Sequence, residues 1–460
     1  MRKGRGRYPR FLQNTCKSGA GSLLGVNRSR TVRLSQKGER KQQDVSVIAR
    51  VPALAPFGVR SFRFQWPADL LASWAFEMEG VILGWFVLVA TGSVLALAIF
   101  GSLQFLGTLI SPFYGMAGDR FGNRNLLCVM RITYIAIALV LTVLFATHNA
   151  TPVAVFVLAT IIGLVRPSDI TLRNLLVGET MPTELLMRAM SVSRTTADSA
   201  RVVGALSGAA LVATLGAGLA YGAVLAVYLV SFALTLNVGV KRVRVVGEGR
   251  AALSPFAALR EGFVYVWSTP DVRAATLLAF LMNFAAYPVV GQLLAYVAKD
   301  IYGMNQTGLG WLIAIYASGA LTGSIVLSTN GARIRAARTM IAFALAWFSL
   351  NFVFSWVTNP AIGQPLLFVI GFSQSFCMVP MAVILLRTAD PAFRGRVMGV
   401  RMLAVYGLPL GLLLSGPMVE HFGFAVTGSI FSLVGVAATM TIVSRWRDQL
   451  WSKNAAANLR

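Results

Sequence analysis

Long apolar stretches separated by short polar turns fill most of the chain. A transmembrane helix needs about 20 predominantly apolar residues, and residues 66–445 contain a succession of such stretches. Divided among twelve spans, this length leaves about 32 residues for each helix and its connection, which suits short loops. The predicted spans are 68–91, 93–115, 126–147, 152–176, 188–214, 217–239, 273–297, 307–328, 337–357, 361–386, 397–420 and 424–444. The pattern therefore predicts an all-α polytopic membrane protein.

The spans fall into two sets of six, and the two sets share sequence features. The segment RAMSVSR at 188–194 matches RVMGVRM at 396–402, with Arg, Met and Val in step at an offset of 208. Two pairs of glycines keep the same offset: Gly163 with Gly371, and Gly208 with Gly416. Parallel repeats of this kind build many secondary transporters. We therefore predict two pseudo-symmetric six-helix halves, 66–239 and 273–445.

Three segments lie outside the two halves. Residues 1–65 hold 15 Lys/Arg and 2 acids without an apolar period, so we expect a disordered basic arm. Its role stays open between contact with anionic lipid, a targeting segment and an overlong start that has no function. Residues 240–272 are predicted to be a cytoplasmic linker whose second part could form an amphipathic helix on the membrane surface. Residues 446–460 are predicted to be a cytoplasmic tail.

Composition excludes other classes of protein. Hydrophobic residues make up 56% of the 460 residues and charged residues 13%, about half the ~25% of an ordinary soluble domain. A soluble fold could not bury so much apolar surface, which excludes a soluble enzyme, a disordered chain and a disulfide scaffold. The three cysteines form no CxxC pair, and the two histidines have no companion at metal-ligand spacing. We therefore expect neither a metal nor a cofactor.

The excess of positive charge orients the chain in the membrane. The net charge is +24, and cytoplasmic loops of membrane proteins are enriched in Lys and Arg. The loops with Arg120, Arg188, Arg333 and Arg394 are therefore assigned to the cytoplasm. The loops on the opposite side contain a single Lys or Arg residue, Lys299. We expect a multi-pass protein of the plasma (cell inner) membrane with both termini in the cytoplasm.

The loop after the second span carries a signature. Residues 115–124 read GMAGDRFGNR, which resembles the G-x-x-x-D-R-x-G-x-R loop between the second and third helices of the major facilitator superfamily. The resemblance implies a twelve-helix transporter in which this loop clasps the two halves in the outward-facing state. That gating role would fall to Gly115, Gly118, Asp119, Arg120, Gly122 and Arg124. The matching loop of the second half, STNGARIRAAR, is basic but lacks the aspartate.

Two further stretches narrow the resemblance. MPTELLMRAM…RVVGALSGAAL in the first half and DPAFRGRVMGVRMLAVYGLPLGLLLSGPM in the second resemble the enterobactin-exporter and macrolide-efflux-like branch. Gly204 and Gly208 are predicted helix-packing positions, because small residues let helices approach closely. Drug antiporters usually carry Gly-Pro in the fifth helix, whereas Ala205 follows Gly204 here. The resemblance implies a fold and a branch, but neither a substrate nor proton/drug antiport specifically.

Ionisable residues inside the predicted spans are costly and therefore mark candidate functional positions. Glu77 and Glu79 lie near the middle of the first span and, two residues apart, point to different faces. Helical spacing places Arg166 and Asp169 on one face of the fourth span, and it places Asp198 and Arg201 on one face of the fifth span. In the second half, the candidate positions inside the predicted spans are neutral polar residues, Asn283 and Gln374. The candidate proton or substrate site comprises Glu77, Glu79, Arg166, Asp169, Asp198, Arg201, Asn283 and Gln374.

Two interpretations of this set stay open. In the first, Asp169 and Asp198 simply neutralise neighbouring arginines. In the second, Glu77 or Glu79 carries a proton, because low-dielectric surroundings disfavour the charged form of a carboxyl. Arg166 and Arg201 suggest an anionic or zwitterionic substrate, although a structural role explains these arginines equally well.

These observations predict a secondary active transporter that works by alternating access, and the family resemblance implies a proton-coupled exporter of small organic molecules. A membrane sensor that keeps the transporter fold and moves nothing is the alternative. A membrane enzyme is disfavoured, because the chain lacks clustered His, Asp or Cys residues and a GxxxxGK[ST] stretch. The expected partners are a small-molecule substrate, protons and the lipid bilayer, without nucleic acid, and the protein is expected to be a monomer.

Overall fold

The fold is a bundle of long helices. The computed structural model describes residues 52–108, 110, 114, 117–118, 120–239, 255–330, 335–388 and 404–446, and these residues contain helices but no strand. A 3₁₀ helix, Pro52–Gly58, precedes the first α-helix. The α-helices are α1 Arg60–Thr91, α2 Val94–Leu103, α3 Asn123–Ala146, α4 Pro152–Thr180, α5 Thr183–Leu236, α6 Pro255–Ser268, α7 Pro270–Leu281 (which continues through short helical segments to Ile301), α8 Gln306–Asn330, α9 Ala336–Trp356, α10 Pro360–Thr388 and α11 Gly407–Arg445.

In the described part of the chain, nine helices are long and apolar enough to cross a membrane, and a shorter apolar helix covers Val94–Thr108. Each of the twelve predicted spans overlaps one of these helical segments. The first helix begins at Arg60, within the range predicted as the basic arm, and α6 occupies the second part of the predicted linker. Large apolar side chains stay exposed along the helices, as expected of a surface that faces lipid.

Helix α5 is two spans that fold back on each other. At 1.5 Å per residue its 54 residues would extend about 80 Å, far beyond a ~30 Å hydrocarbon core. Ala189, near its start, packs in one cluster with Phe62 of α1, and Gly239, just past its end, accepts a hydrogen bond from Ser61 of α1. Both ends of α5 therefore meet the same end of α1. The reversal occurs at Gly216, whose φ of 78° and ψ of 166° are not helical.

Helix α11 repeats this construction in the second half. Phe284 of the α7 segment lies against Gly411 before the reversal and stacks on Phe431 after it, with ring centroids 5.8 Å apart. The non-helical residue is Gly423, with φ 79° and ψ 167°. Gly216 and Gly423 have the same backbone conformation at equivalent places in the two halves. The structure therefore repeats in the same way as the sequence does.

The glycine pairs of the sequence repeat behave differently from each other. Gly163 of α4 packs against the backbone of Leu103 of α2, and Gly371 of α10 packs against the backbone of Tyr316 of α8. These crossings are equivalent in the two halves. Gly208 packs against Met78 of α1, whereas Gly416 packs against Leu95 and Ala98 of α2, in the other half. The second pair therefore shares an offset but not a partner.

The two ends of the bundle are distinguished by the chain turns. The turn at Thr91–Val94 meets the reversal of α11, because Glu420 accepts hydrogen bonds there from the Ser93 hydroxyl (2.7 Å) and the Leu95 amide (3.0 Å). We call this end the turn face. The other end, where α1 begins and α11 ends, is called the terminal face.

Candidate functional site

The signature loop is described only in part. Gly115 and Asp119 lie outside the described residues, whereas Gly118, Arg120, Gly122 and Arg124 are described. Gly122 has a φ of 88°, a conformation that favours glycine. The Arg124 guanidinium donates to the Val238 carbonyl at the end of α5 (3.1 Å). This loop is thus anchored within the first half at the terminal face.

Glu77 and Glu79 of α1 lie in different surroundings, as helical spacing requires. Glu77 points toward α4 and α5, where one of its carboxylate oxygens lies 4.0 Å from a nitrogen of Arg166 and 3.8 Å from a nitrogen of Arg201. The three side chains are 27%, 23% and 34% exposed, respectively. We call Glu77, Arg166 and Arg201 the charge triad. It holds two positive charges and one negative charge in a partly open space.

Glycines permit this close approach of α1 and α5. A side chain at Gly204 would collide with the Glu77 Cβ, and one at Gly208 would place its Cβ 2.9 Å from the Met78 Cα. Neither position has room for a larger residue without a shift of the helices. The structure therefore brings both predicted packing glycines onto the face of α1 that carries Glu77.

Glu79 lies on the buried side of α1 and is 5% exposed. Its carboxylate accepts a hydrogen bond of 2.8 Å from the hydroxyl of Tyr228, in the second segment of α5. No Lys or Arg among the described residues lies within ion-pair distance of it. Glu79 also lines a small pocket whose wall includes Arg166 and Gln104. Arg166 donates to the Gln104 side chain at 2.8 Å, so this arginine borders the surroundings of both glutamates.

Asp169 belongs to a separate buried group that the sequence analysis did not assemble. It pairs with Arg173 of its own helix and lies 3.8 Å from Arg131 of α3, and Asp69 of α1 lies 3.1 Å from the same Arg131. We call Asp69, Arg131, Asp169 and Arg173 the buried quartet. Arg131 is fully buried. The available signal was an arginine inside the predicted span 126–147.

Asp198 lies within electrostatic range of Arg201 but forms its ion pair outside the charge triad. Its carboxylate lies 3.4 Å from Arg194, one helical turn earlier on α5, and that arginine is 71% exposed. The expected face of α5 therefore splits: Asp198 pairs with Arg194, and Arg201 pairs with Glu77.

The second half contributes neutral polar side chains opposite Arg201. Gln374 of α10 donates to the hydroxyl of Tyr287, at the middle of the α7 segment. Tyr287 and Tyr316 lie within electrostatic range of Arg201. Asn283 instead donates to the Ala279 carbonyl of its own helix (2.8 Å). Gln374 therefore joins the space between the halves through Tyr287, and the amide of Asn283 is used locally.

The halves touch between this space and the turn face. Gly310 of α8 packs against Ala205 and Ala209 of α5, one and two turns beyond Arg201. Glu420 binds the start of α2 as described above. In the part of the chain that the structure describes, no group of three or more His, Cys, Asp or Glu residues could hold a metal ion. The site is thus a set of charged and hydrogen-bonding groups between two helical halves.

Comparisons with known proteins agree with this architecture. Residues 66–412 match the family model described as Major Facilitator Superfamily, and the chain belongs to that family. The predicted fold class is thereby confirmed, as is the prediction of a transporter family. No finding supports the sensor alternative.

Curated relatives and solved structures give the same result. Two proteins named multidrug efflux pump Tap are similar to this chain. That of Mycolicibacterium fortuitum is 27% identical over 76% of this chain and 87% of its own length, and that of Mycobacterium tuberculosis is 24% identical over 78% and 87%. A mutant of the nucleoside transporter NupG superposes with a TM-score of 0.68 at 14% identity, over 82% of this chain and 99% of that chain. A D-xylose-proton symporter gives 0.63 at 15% identity, over 83% and 96%.

Proposed function

We propose that this protein is a proton-coupled exporter of small organic molecules that works by alternating access between its halves. The relatives named as multidrug efflux pumps support the direction and the kind of cargo. The structural likeness to a proton symporter supports the use of a proton gradient. By the positive-inside rule, the terminal face lies on the cytoplasmic side of the cell inner membrane. Both termini are then cytoplasmic.

Glu79 is the proton carrier in this proposal, and its surroundings are the observation that carries the argument. The carboxyl is buried 12 residues before the end of α1, about 18 Å along the helix, and its described partner is a neutral hydroxyl. Glu77, by contrast, lies within ion-pair distance of two arginines. A carboxyl that alternates between charged and neutral forms must tolerate both, and Glu79 fits this requirement better.

Arg166 links the proton site to the substrate space. When Glu79 is protonated, the charge triad keeps a surplus of one positive charge. When Glu79 is ionised, Arg166 has a second carboxylate nearby and the local charges balance. A cationic substrate therefore binds better after the proton has left, which is the rule that an antiporter must obey. This coupling favours a cationic cargo over the anionic cargo that the arginines alone suggest.

The loop at 115–124 completes the proposal. The family resemblance assigns to it the clasp between the halves, and the hydrogen bond of Arg124 at the terminal face supports that assignment. We further propose that the protein acts as a monomer.

Inverted membrane vesicles test the proposed function. In vesicles that contain the protein and have an acidic interior, we expect uptake of cationic and neutral fluorescent dyes such as ethidium. Dissipating the pH gradient with nigericin should stop that uptake, and vesicles without the protein should show none. Uptake that ignores the gradient would contradict proton coupling, and the absence of uptake across the dye panel would contradict export.

A further inference from the structure

Two buried side chains of the second half carry hydrogen-bonding atoms without partners. Tyr316 and Gln374 are each 6% exposed. The Tyr316 hydroxyl and the Gln374 Oε1 have no hydrogen-bond partner among the described residues. Buried polar atoms are normally paired, since leaving one unpaired costs about 1–3 kcal/mol. Two such atoms near the space between the halves therefore point to a ligand that satisfies them.

Tyr287 joins these two atoms into one group. It accepts a hydrogen bond from the Gln374 amide, so its own hydroxyl proton is available to another acceptor. It also lies within electrostatic range of both Tyr316 and Arg201. Tyr287 is only partly buried, which leaves a side of the group accessible. The three side chains Tyr287, Tyr316 and Gln374 are called the polar trio.

The trio specifies the chemistry of its ligand. It offers one free acceptor, the Gln374 Oε1, and two hydroxyl donors, those of Tyr287 and Tyr316. A carboxamide supplies the complement, with an N–H for the acceptor and a carbonyl oxygen for the hydroxyls. A carboxylate supplies no donor and sets a negative oxygen against Oε1, and an ester also lacks the donor.

We propose that the polar trio is a substrate subsite that selects an uncharged group with adjacent hydrogen-bond donor and acceptor, of the carboxamide type. This inference rests on the proposed transport function, because it assigns the trio to the cargo. It adds a selectivity that neither the charge triad nor the proton site supplies.

A matched set of small aromatic probes tests the subsite by binding alone. The purified full-length protein is titrated in detergent with 2-naphthamide, methyl 2-naphthoate and 2-naphthoate by calorimetry, without a proton gradient. The amide should bind about tenfold more tightly than the ester or the acid, because a site built for hydrogen bonds rejects analogues that lack them. Equal affinity for amide and ester, or no measurable binding of the amide, would overturn the proposal.

Variants connect the preference to the trio. Tyr316→Phe should reduce the affinity for the amide and for the ester about three- to tenfold, because both present a carbonyl oxygen to its hydroxyl. The melting temperature should not fall, because the deleted hydroxyl has no partner to lose. Gln374→Leu should reduce the preference for the amide, because it removes the acceptor for the amide N–H. Tyr302→Phe is the matched control, because its buried hydroxyl is unpartnered too but lies at the turn face. An unchanged amide affinity in Tyr316→Phe together with an unchanged preference in Gln374→Leu would refute the subsite.

Together with the binding measurements, the vesicle experiment distinguishes a failure of the subsite from a failure of the proposed transport function. Gradient-driven dye uptake together with equal binding of amide and ester would remove the subsite and leave the exporter standing. A preference for the amide that depends on the trio, without gradient-driven uptake, would retain a ligand site and remove the exporter.

Discussion

At the residue scale, the charged side chains divide into groups with different physical demands. The buried quartet balances two aspartates with two arginines, and Arg131 within it is fully buried. The charge triad is unbalanced and partly exposed. A balanced buried group suits a structural role, whereas an unbalanced open one suits a site that receives charge. This contrast separates the two interpretations of the intramembrane charges.

The two aspartates that the sequence treats alike should differ in stability. Asp169→Asn removes a carboxylate that faces Arg131 and Arg173, and loss of one partner from a buried ionic group costs about 3–5 kcal/mol. Asp198 is also buried, but Asp198→Asn leaves behind an arginine that is 71% exposed and stays solvated, so its cost should be smaller than that of leaving a buried arginine unpaired. Thermal unfolding in detergent should therefore show a large decrease for the first variant only. Similar melting temperatures for both would contradict a structural quartet.

Helical spacing predicts some of this chemistry and not the rest. Pairs within one helix, such as Asp169 with Arg173, follow from a separation of four residues. The contribution of Asp69 and Arg131 depends on how α1, α3 and α4 pack together, and sequence separation carries no information about that. The different surroundings of Glu77 and Glu79 were predictable from the period, but their partners were not.

At the element scale, hydropathy located the reversals and missed their form. The predicted spans break between 214 and 217 and between 420 and 424, and the structure places Gly216 and Gly423 in those gaps. These gaps leave room for a short loop at each reversal. Instead a single glycine turns each helix, because its φ and ψ lie in a region that only glycine occupies readily.

Substitution of the reversal glycine should therefore be costly. Gly216→Ala forces an alanine to φ 78° and ψ 166°, a conformation that costs about 1–3 kcal/mol. Gly222→Ala, six residues later, is the control, since its added Cβ would meet its nearest neighbour at 4.0 Å and alanine favours helix. Melting curves should show a decrease for the first variant and none for the second. A Gly216→Ala protein as stable as wild type would contradict this explanation of the turn.

At the scale of the whole molecule, one of the links between the halves lies at the turn face. Glu420 at the end of the first segment of α11 accepts hydrogen bonds from Ser93 and from the Leu95 amide, at the start of α2. A carboxylate at a helix N-terminus is favourable because the backbone N–H groups there lack partners. Access from the turn face requires these contacts to break, so Glu420 should stabilise the closed arrangement.

Distance measurements can detect that latch. With spin labels at Asn149 and Asn359, exposed positions in opposite halves at the turn face, Glu420→Ala should shift the distance distribution toward longer values. Hydrogen bonds to a charged group contribute about 1.5–3 kcal/mol, enough to change the populations about tenfold or more. Asp300→Asn is the control, because its described partner Lys299 lies in the same half. Unchanged distances in Glu420→Ala would exclude a latch.

The central claim is that Glu79 carries the coupled proton, and reconstituted protein tests it most directly. Proteoliposomes with wild type, Glu79→Gln or Glu77→Gln are compared for exchange of a transported dye without a gradient and for uptake driven by a pH gradient. Glu79→Gln should keep exchange and lose the response to the gradient, because glutamine cannot release a proton. Glu77→Gln, which alters the charge triad, should weaken exchange and keep the remaining transport sensitive to pH. Gradient-driven uptake by Glu79→Gln at the wild-type rate would contradict the account.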